Sequence, residues 1–520
     1  MSEASSPTTL SLSSEELKAL VARVRQEVSE SDARLIETLA ENYQWFTSVL
    51  AQKNTSLGRL RRMLFGAPTE KSERVLGTSP KTSSNTKAKK GHGRRAARDY
   101  PGARVVKVPH ENLQAGDPCP ACFKGRLSLK APRMILRIQA QPILAATRYE
   151  MEKFRCNLCG KIFGAQAPEE AGTTKYDRSV ATMLVVLRYG IGLPNYRLEK
   201  LQHDLGVPLA ASTQWELSAR CAGDIGPLYR CLLHHAAQAE LLYNDDTTMR
   251  VLSLKDRSGD PTGRTGTFTT GVVAQVQGRR IALFFTGTQH AGENLNQLLQ
   301  KRLAGLPPPM QMCDGLSRNQ PKEHETLLLN CLIHGRRNFV DVAPHFPDQC
   351  AFLLESLRHV YHHDAQAREK HLNAAQRLKF HQTHSAPVMH RLKEWLDEQI
   401  QEKKCEPNSG LGGAVQYMLK RWVALTRFLE IHGAPLDNNI CERMLKRAIL
   451  HRKNSMFYNT QKGADVGDLF MSLIHTCRFS GVDPFHYLNA LQDHAPQLES
   501  DTDRWLPWNY LDTLRSLDPR

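Results

Sequence analysis

No run of eighteen consecutive apolar residues occurs anywhere in the 520-residue sequence, which excludes a membrane-spanning helix at the outset. The first seventeen residues, Met1 to Leu17, lack both the charged leading region and the apolar stretch of a secretory signal. Acidic charge is in the minority, with 53 Asp and Glu against 69 Lys and Arg, a formal net charge of +16. That balance points to a polyanionic partner, nucleic acid before membrane surface. A disulfide framework is also missing: of twelve cysteines, four fall in two C-x-x-C pairs and eight are scattered. Metal binding in a reducing compartment fits that usage better. What is present is an ordinary globular composition, 41% hydrophobic with 27 prolines and 33 glycines. A chain this long is expected to form several domains, and to reside in the cytoplasm.

Along residues 15–64, Leu17, Leu20, Val24, Val28, Leu35, Leu39, Phe46, Leu50, Leu57, Leu60 and Leu64 recur at spacings of three, four and seven. This predicts an amphipathic helix or broken coiled coil, for self-association or for packing on its own body. Residues 76–100 are rich in Ser, Thr and Gly, with Lys81, Lys87, Lys89, Lys90, Arg94, Arg95 and Arg98. Such a stretch is either a solvated tether or a tail that holds phosphates without reading sequence. Cys119-Pro-Ala-Cys122 and Cys156-Asn-Leu-Cys159-Gly160 follow, 33 residues apart, with strand-like alternation in Arg126–Lys130, Met134–Ala140 and Thr147–Phe154. Paired thiolates on two tight turns suit one structural Zn²⁺ held by Cys119, Cys122, Cys156 and Cys159 in a zinc ribbon. Tyr196–Leu205 and Ser212–Arg220 outline two helices around Gly206. Thr213 and Glu216 have capping-box spacing at the second start. This pair reads as a helix-turn-helix or as plain helical packing, since the second helix carries only Arg220 as a cation.

From Glu240 the texture changes. Leu241–Asn244 is short and apolar and ends at Asp245-Asp246. Thr267–Val276 and Arg280–Gly287 form a predicted hairpin, Glu293–Leu303 a helix, and Met310–Cys313 a strand ending at Asp314-Gly315. An acid at two strand ends suggests a mixed sheet with a site at its edge. Residues 346–430 read as mostly helical. A further helix opens at Asp437 or Asn438 as N-cap and carries Glu442 followed by Arg443, Lys446, Arg447, Arg452 and Lys453. Glu442 and Lys446, four apart, share a face. Asp245, Asp314 and Glu442 are therefore the candidate acids for phosphoryl transfer by two metals, with carboxylate oxygens suited to Mg²⁺.

These residues also carry a resemblance, over nearly the whole length, to the bacterial insertion-sequence-66 family of DDE transposases. Leu64-Phe65-Gly66 with Glu70-Lys71 resembles that family's N-terminal segment, and the paired cysteines its zinc-binding domain. Asn244-Asp245-Asp246-Thr247 is similar to its Ala-Asp-Glu-Thr signature, and Cys313-Asp314-Gly315 to its Asp-Gly element. The block Cys331-Leu332-Ile333-His334-Gly335-Arg336-Arg337-Asn338-Phe339 resembles its Cys-Trp-Ala-His-Ala-Arg-Arg-Lys-Phe run. Asp437-Asn438-Asn439 through Glu442-Arg443 to Arg452-Lys453-Asn454 resembles its C-terminal signature, and Gly481-Val482-Asp483-Pro484 its tail. The sequence departs at Asp246, where the family has Glu, at Thr248, where it has Pro, and at Leu316-Ser317-Arg318.

The resemblance implies a multidomain α+β protein. Its expected parts are an N-terminal helical or coiled-coil segment (1–75), a basic linker (76–100), a zinc ribbon (101–172) and a helix-turn-helix-like region (173–238). A ribonuclease-H-like α/β catalytic core follows (239–345 and 431–495), split by a helical insertion (346–430), then a C-terminal tail (496–520). It implies Asp245, Asp314 and Glu442 as catalytic acids holding two Mg²⁺, with Mn²⁺ an allowed substitute; Arg336, Arg337, Arg443, Lys446, Arg447, Arg452 and Lys453 are candidate DNA contacts, open between holding phosphates and structural ion pairing. His334 is open between positioning phosphate and packing. The expected partners are double-stranded DNA (the element's terminal inverted repeats and the target) and further copies of the chain, with accessory proteins of the same element left open and no membrane. The expected place is the bacterial cytoplasm, at the nucleoid. The expected activity is Mg²⁺-dependent cleavage at element ends followed by strand transfer. Two rivals are a DNA-binding regulator or relic without that activity, and a stand-alone nuclease that cuts but never joins.

Overall fold

The computed structural model describes residues 14–41, 105–129 apart from 106, 110, 111, 123 and 125, 143–155, 162–254, 264 and 266–517. Residues 80–145 form one compact unit and the remainder of the chain a second. In the first unit, Pro118 and Arg126 form a bridge on either side of Cys119 and Cys122, and the Arg126 guanidinium donates to the Gly116 carbonyl at 3.0 Å.

The larger unit begins with α1 (Ser14–Val24) and α2 (residues 30–41). Of the two expected forms, one helix or a broken one, the described residues have a break here because Ser29 and Asp32 form their own start signal: the Asp32 N–H donates to Ser29 Oγ at 3.3 Å. The Phe46–Leu64 part of that expectation lies outside the described residues. β1 (Lys153–Arg155) and β2 (Ile162–Gly164) pair antiparallel and bracket the second C-x-x-C pair. Of the expected ribbon strands, only Lys153 and Phe154 of Thr147–Phe154 are in a ladder, Arg126 alone of Arg126–Lys130 makes a bridge, and Met134–Ala140 lies outside the described residues. Cys119 is half-buried and Cys122 exposed, while Cys156 and Cys159 also lie outside.

Helices α3 (Arg178–Val185), α4 (Asn195–Asp204) and α5 (Ala211–Ala237) follow. The two-helix reading of 196–220 holds as helix, turn, helix, but α5 runs for 27 residues. It starts at Ala211 with no side-chain cap, so the Thr213/Glu216 capping box does not form. Its buried stripe of Leu217, Cys221, Ile225, Leu228, Leu232 and Ala236 packs with α3 and the sheet's helices.

The sheet has five strands: β3 (Leu241–Thr248), β4 (Phe268–Val276), β5 (Arg279–Gly287), β6 (Met310–Cys313) and β7 (Leu327–Asn330), with α6 (Ala291–Leu299) between β5 and β6. Their order across the sheet is β5-β4-β3-β6-β7. β3 pairs antiparallel with β4 and β4 with β5, whereas β3, β6 and β7 are parallel. Asp245 was expected to end its strand. β3 instead continues to Thr248, because β4 offers a ladder partner up to Phe268, although pairing with β6 stops at Tyr243 opposite Met312. Thr269–Ala274 and Ile281–Phe284 are buried without interruption, the mark of a sheet covered on both faces.

Beyond the sheet come α7 (Leu332–Val342), then the helical stretch α8 (Pro347–Glu369), α9 (Ala374–His384), α10 (Ala386–Gln401), α11 (Gly410–Lys420) and α12 (Trp422–Thr426). α13 (Asn439–Ser455) packs on β3 and β4. α14 (Gln461–Phe479) packs on β5, and α15 (Pro484–Asp493), α16 (Ala495–Leu498) and α17 (Tyr510–Leu517) close the described chain. On α14, Asp468, Ser472 and Thr476 stand four apart and accept the outward N–H groups of Thr286, Phe284 and Ala282 at 2.5, 3.0 and 3.0 Å. Four helical residues rise about 6 Å and two strand residues about 6.8 Å, so one helix face can satisfy a strand edge.

Candidate active site

The strand alternation of β3 decides which acid faces where. Asp245 lies opposite Gly271 on β4, on the side where α13 packs. A Cβ on Gly271 would come within 2.8 Å of Met444 Cε and 2.9 Å of Leu445 Cδ2. The Cys441 thiol donates to the Gly271 carbonyl at 3.3 Å. The missing side chain is therefore what lets the first turn of α13 approach the sheet. Asp246 points to the opposite face, where its nearly fully buried carboxylate accepts from His290 Nδ1 at 2.9 Å and meets Arg318 Nη2 at 3.4 Å.

Asp314 follows β6 directly. Its Oδ1 accepts from the Leu316 N–H at 3.0 Å and from Asn319 Nδ2 at 2.7 Å. Gly315 takes a positive φ of 84°, a conformation that costs glycine little. Tyr417 donates to the Asp314 carbonyl at 2.7 Å, and Arg421, stacked 4.2 Å over the Tyr417 ring, donates to the Gly315 carbonyl at 3.2 Å. The helical segment before α13 thus fixes the turn that presents the second acid.

Glu442 sits in the first turn of α13, about one-fifth exposed. Its Oε1 is 3.8 Å from His334 Nδ1 and its Oε2 3.9 Å from Arg337 Nη2, both on α7. Both separations exceed hydrogen-bond length, and Oε1 is buried with no hydrogen-bond partner among the described residues. Asn438 occupies the N-cap position but does not cap. Its side chain donates to the Asn244 carbonyl at 3.1 Å, tying the start of α13 to the residue before Asp245. Asp437 accepts from the Asn439 N–H at 3.0 Å instead.

The carboxyl of Asp245 is pushed up to about 7, chiefly by burial, then by the negative charge of Asp314, with Asp246 and Glu442 adding to it; the Asp246 N–H opposes the shift. The acids thus come from the central strand β3, the end of its neighbour β6 and the first turn of α13. Half-buried like charges, with the Glu442 Oε1 lacking a hydrogen-bond donor among the described residues, are a donor set suited to a cation. Hard carboxylate oxygens fit a divalent cation such as Mg²⁺. Cys331, His334 and Glu442 also bring their donor atoms within 4.8 Å of one another.

Of the expected DNA contacts, Arg443, Lys446, Arg447 and Lys453 are exposed along α13, while Arg336 and Arg337 are half-buried on α7. Arg452 is turned inward: its guanidinium donates to Thr247 Oγ1 at 3.2 Å, to Thr248 Oγ1 at 2.6 Å and to the Thr248 carbonyl. Sequence reasoning passed over Gly271, Asn319, Tyr417 and Arg421. A glycine inside a strand pattern was the one signal available, since it marks a close backbone approach.

Residues 174–466, more than half of the chain, match a family model described as Transposase IS66 family. The chain belongs to that family and is a transposase. Among similar proteins, the uncharacterized protein y4jD of Sinorhizobium fredii is 28% identical over 71% of this chain and 73% of its own length. The uncharacterized protein y4hP of the same organism is 25% identical over 87% of each. No helix among the described residues is long and apolar enough to cross a membrane.

Proposed function

We propose that the chain cleaves DNA at the ends of its element and joins the freed 3′-hydroxyl to target DNA, using Asp245, Asp314 and Glu442. The observation that supports this reading best is the packing of the start of α13, which carries Glu442, against Asn244 and Gly271 beside Asp245, next to the Asp314 turn that follows the neighbouring strand β6. The strand order, three antiparallel strands continued by two parallel ones, supports a ribonuclease-H-like core. In the first step, water attacks phosphorus, the P–O3′ bond breaks and the element end is left with a 3′-hydroxyl. In the second, that hydroxyl attacks a target phosphorus and a target 3′-oxygen leaves.

The three carboxylates would hold two Mg²⁺, or Mn²⁺, and the ions would supply charge neutralisation and activation of the attacking oxygen. The protein residues have separable tasks. Asn438 and Gly271 hold Glu442 against β3, and Asn319 and Tyr417 fix the Asp314 turn. His334 and Arg337 stand 3.8 and 3.9 Å from the two carboxylate oxygens of Glu442. Arg443, Lys446, Arg447 and Lys453 line one helix from Glu442 outward and suit DNA phosphates, which such contacts position without reading sequence. Arg336 adds a cation on α7. Arg452 holds α13 to the end of β3. One structural Zn²⁺ on Cys119, Cys122, Cys156 and Cys159 completes the reading.

The test uses purified protein, DNA bearing the element's ends, and Mg²⁺. Asp245→Asn, Asp314→Asn and Glu442→Gln should each lower cleavage by roughly 10³-fold. DNA binding should persist, because the cations dominate affinity. Asp246→Asn, on the other face, should keep cleavage. A parent protein that binds DNA and never cuts would return the reading to a regulator or relic, and one that cuts without joining to a nuclease. Normal cutting by Glu442→Gln would sink the three-acid assignment.

A further inference from the structure

Away from the sheet edge, α5 and the C-terminal segment bring together a thiol, an imidazole and a carboxylate. Cys231 and His235 are four apart on α5, so both side chains leave the same face. Facing them is Asp503, in the short 3₁₀ turn Thr502–Trp505. Cys231 Sγ lies 3.2 Å from Asp503 Oδ1, and His235 Nε2 2.5 Å from that same oxygen. All three donor atoms fall within 4.8 Å of one another. The turn is itself braced: Asn509 Nδ2 donates to the Asp503 carbonyl at 2.8 Å, and Trp508 meets the His235 ring edge-on at 6.3 Å.

We propose that Cys231, His235 and Asp503 form a transition-metal site that takes Zn²⁺ and latches the C-terminal segment onto α5. A helical pair four apart is a spacing from which two side chains reach one ion. Zinc at its usual bond lengths of about 2.0–2.3 Å separates neighbouring tetrahedral ligands by about 3.3–3.6 Å. The two separations from Asp503 Oδ1, 3.2 and 2.5 Å, are shorter than that, as hydrogen bonds to a carboxylate are. The adjustment falls on Asp503, whose side chain is 67% exposed and which needs to withdraw by only about 1 Å. A thiolate ligand selects zinc over magnesium, so this site is chemically separate from the three carboxylates. The ligands lie 268 and 272 residues apart in sequence and converge only in the folded chain, so bound zinc stabilises the fold by mass action.

The experiment compares the full chain with Asp503→Asn, His235→Gln and Cys231→Ser, all purified with zinc present. Metal analysis should find about one fewer zinc per chain in each variant, whatever the paired cysteines hold. After chelator treatment, added Zn²⁺ should raise the parent's Tm, Mg²⁺ should not reproduce that rise, and the variants should lose it. Co²⁺ in place of zinc should give thiolate-to-metal absorption that weakens in Cys231→Ser. Asp503→Asn removes an exposed group and keeps the fold, so it decides the matter even if Cys231→Ser is poorly folded. Equal zinc content and an equal Zn²⁺-dependent Tm rise in parent and Asp503→Asn would overturn the proposal.

Discussion

Asp245 and Asp468 place the same physical conflict at two points of the chain. Asp468 is fully buried, and burial pushes its carboxyl up to about 8 against the opposing hydrogen bonds from Thr286. A folded-state value above the unfolded one means the native chain binds the extra proton. The contribution to stability is therefore full below about pH 4 and is lost as pH rises toward 8. Asp245, pushed up to about 7, acts in the same direction. His451 and His475 act oppositely: burial lowers them to about 4 and about 3, so their contribution is full above pH 6.5 and lost as pH falls. Asp468→Asn should remove a slope on the order of a few kcal/mol between pH 4 and 8. Denaturant titrations at several pH values would show it, and an unchanged profile would count against a protonated Asp468. In metal-free protein Asp245→Asn should raise Tm, because it removes a carboxyl whose ionised form burial and the neighbouring acids disfavour. Asp314 directly follows its strand and Glu442 lies in the first turn of its helix, as expected from the sequence, whereas Asp245 lies inside β3 because the ladder with β4 runs on to Thr248. Cys231, His235 and Asp503 were not legible, because no local pattern links residues more than 260 apart.

Among the elements, the contact between β4 and α13 matters most for the site. Gly271→Ala puts a methyl group where Met444 and Leu445 now lie, and should cost about 1–3 kcal/mol as the helix start shifts outward. Cleavage should fall further than DNA binding, since Glu442 moves with the helix while the exposed cations keep their charge. Equal losses in both would mean the helix repacks as a unit. Most elements were readable from hydrophobic period: β6 has the expected bounds, and β4 and β5 are close to theirs. β7 was missed because Leu327-Leu328-Leu329-Asn330 is too short to tell strand from helix. α5 runs on past the expected Arg220 to Ala237, because its buried stripe carries the helix through Gly223, Gly226 and Pro227.

At the scale of the molecule, the positive balance and the N-terminal apolar stripe suit a protein that works on DNA in more than one copy. Leu35 and Leu39 are 65% and 61% exposed on α2, so removing residues 1–75 should yield a smaller particle by light scattering. An unchanged mass would place self-association elsewhere. The ladder from α14 to β5 has a further consequence, one of timing. Asp468 emerges 182 residues after the strand N–H it satisfies, roughly 10–40 s later at ordinary rates of synthesis. For that interval β5 is an open edge on a nascent chain, a template for pairing with its neighbours on the same message. The C-terminal third of the protein is thus the part that closes this edge, as well as the part that carries Glu442.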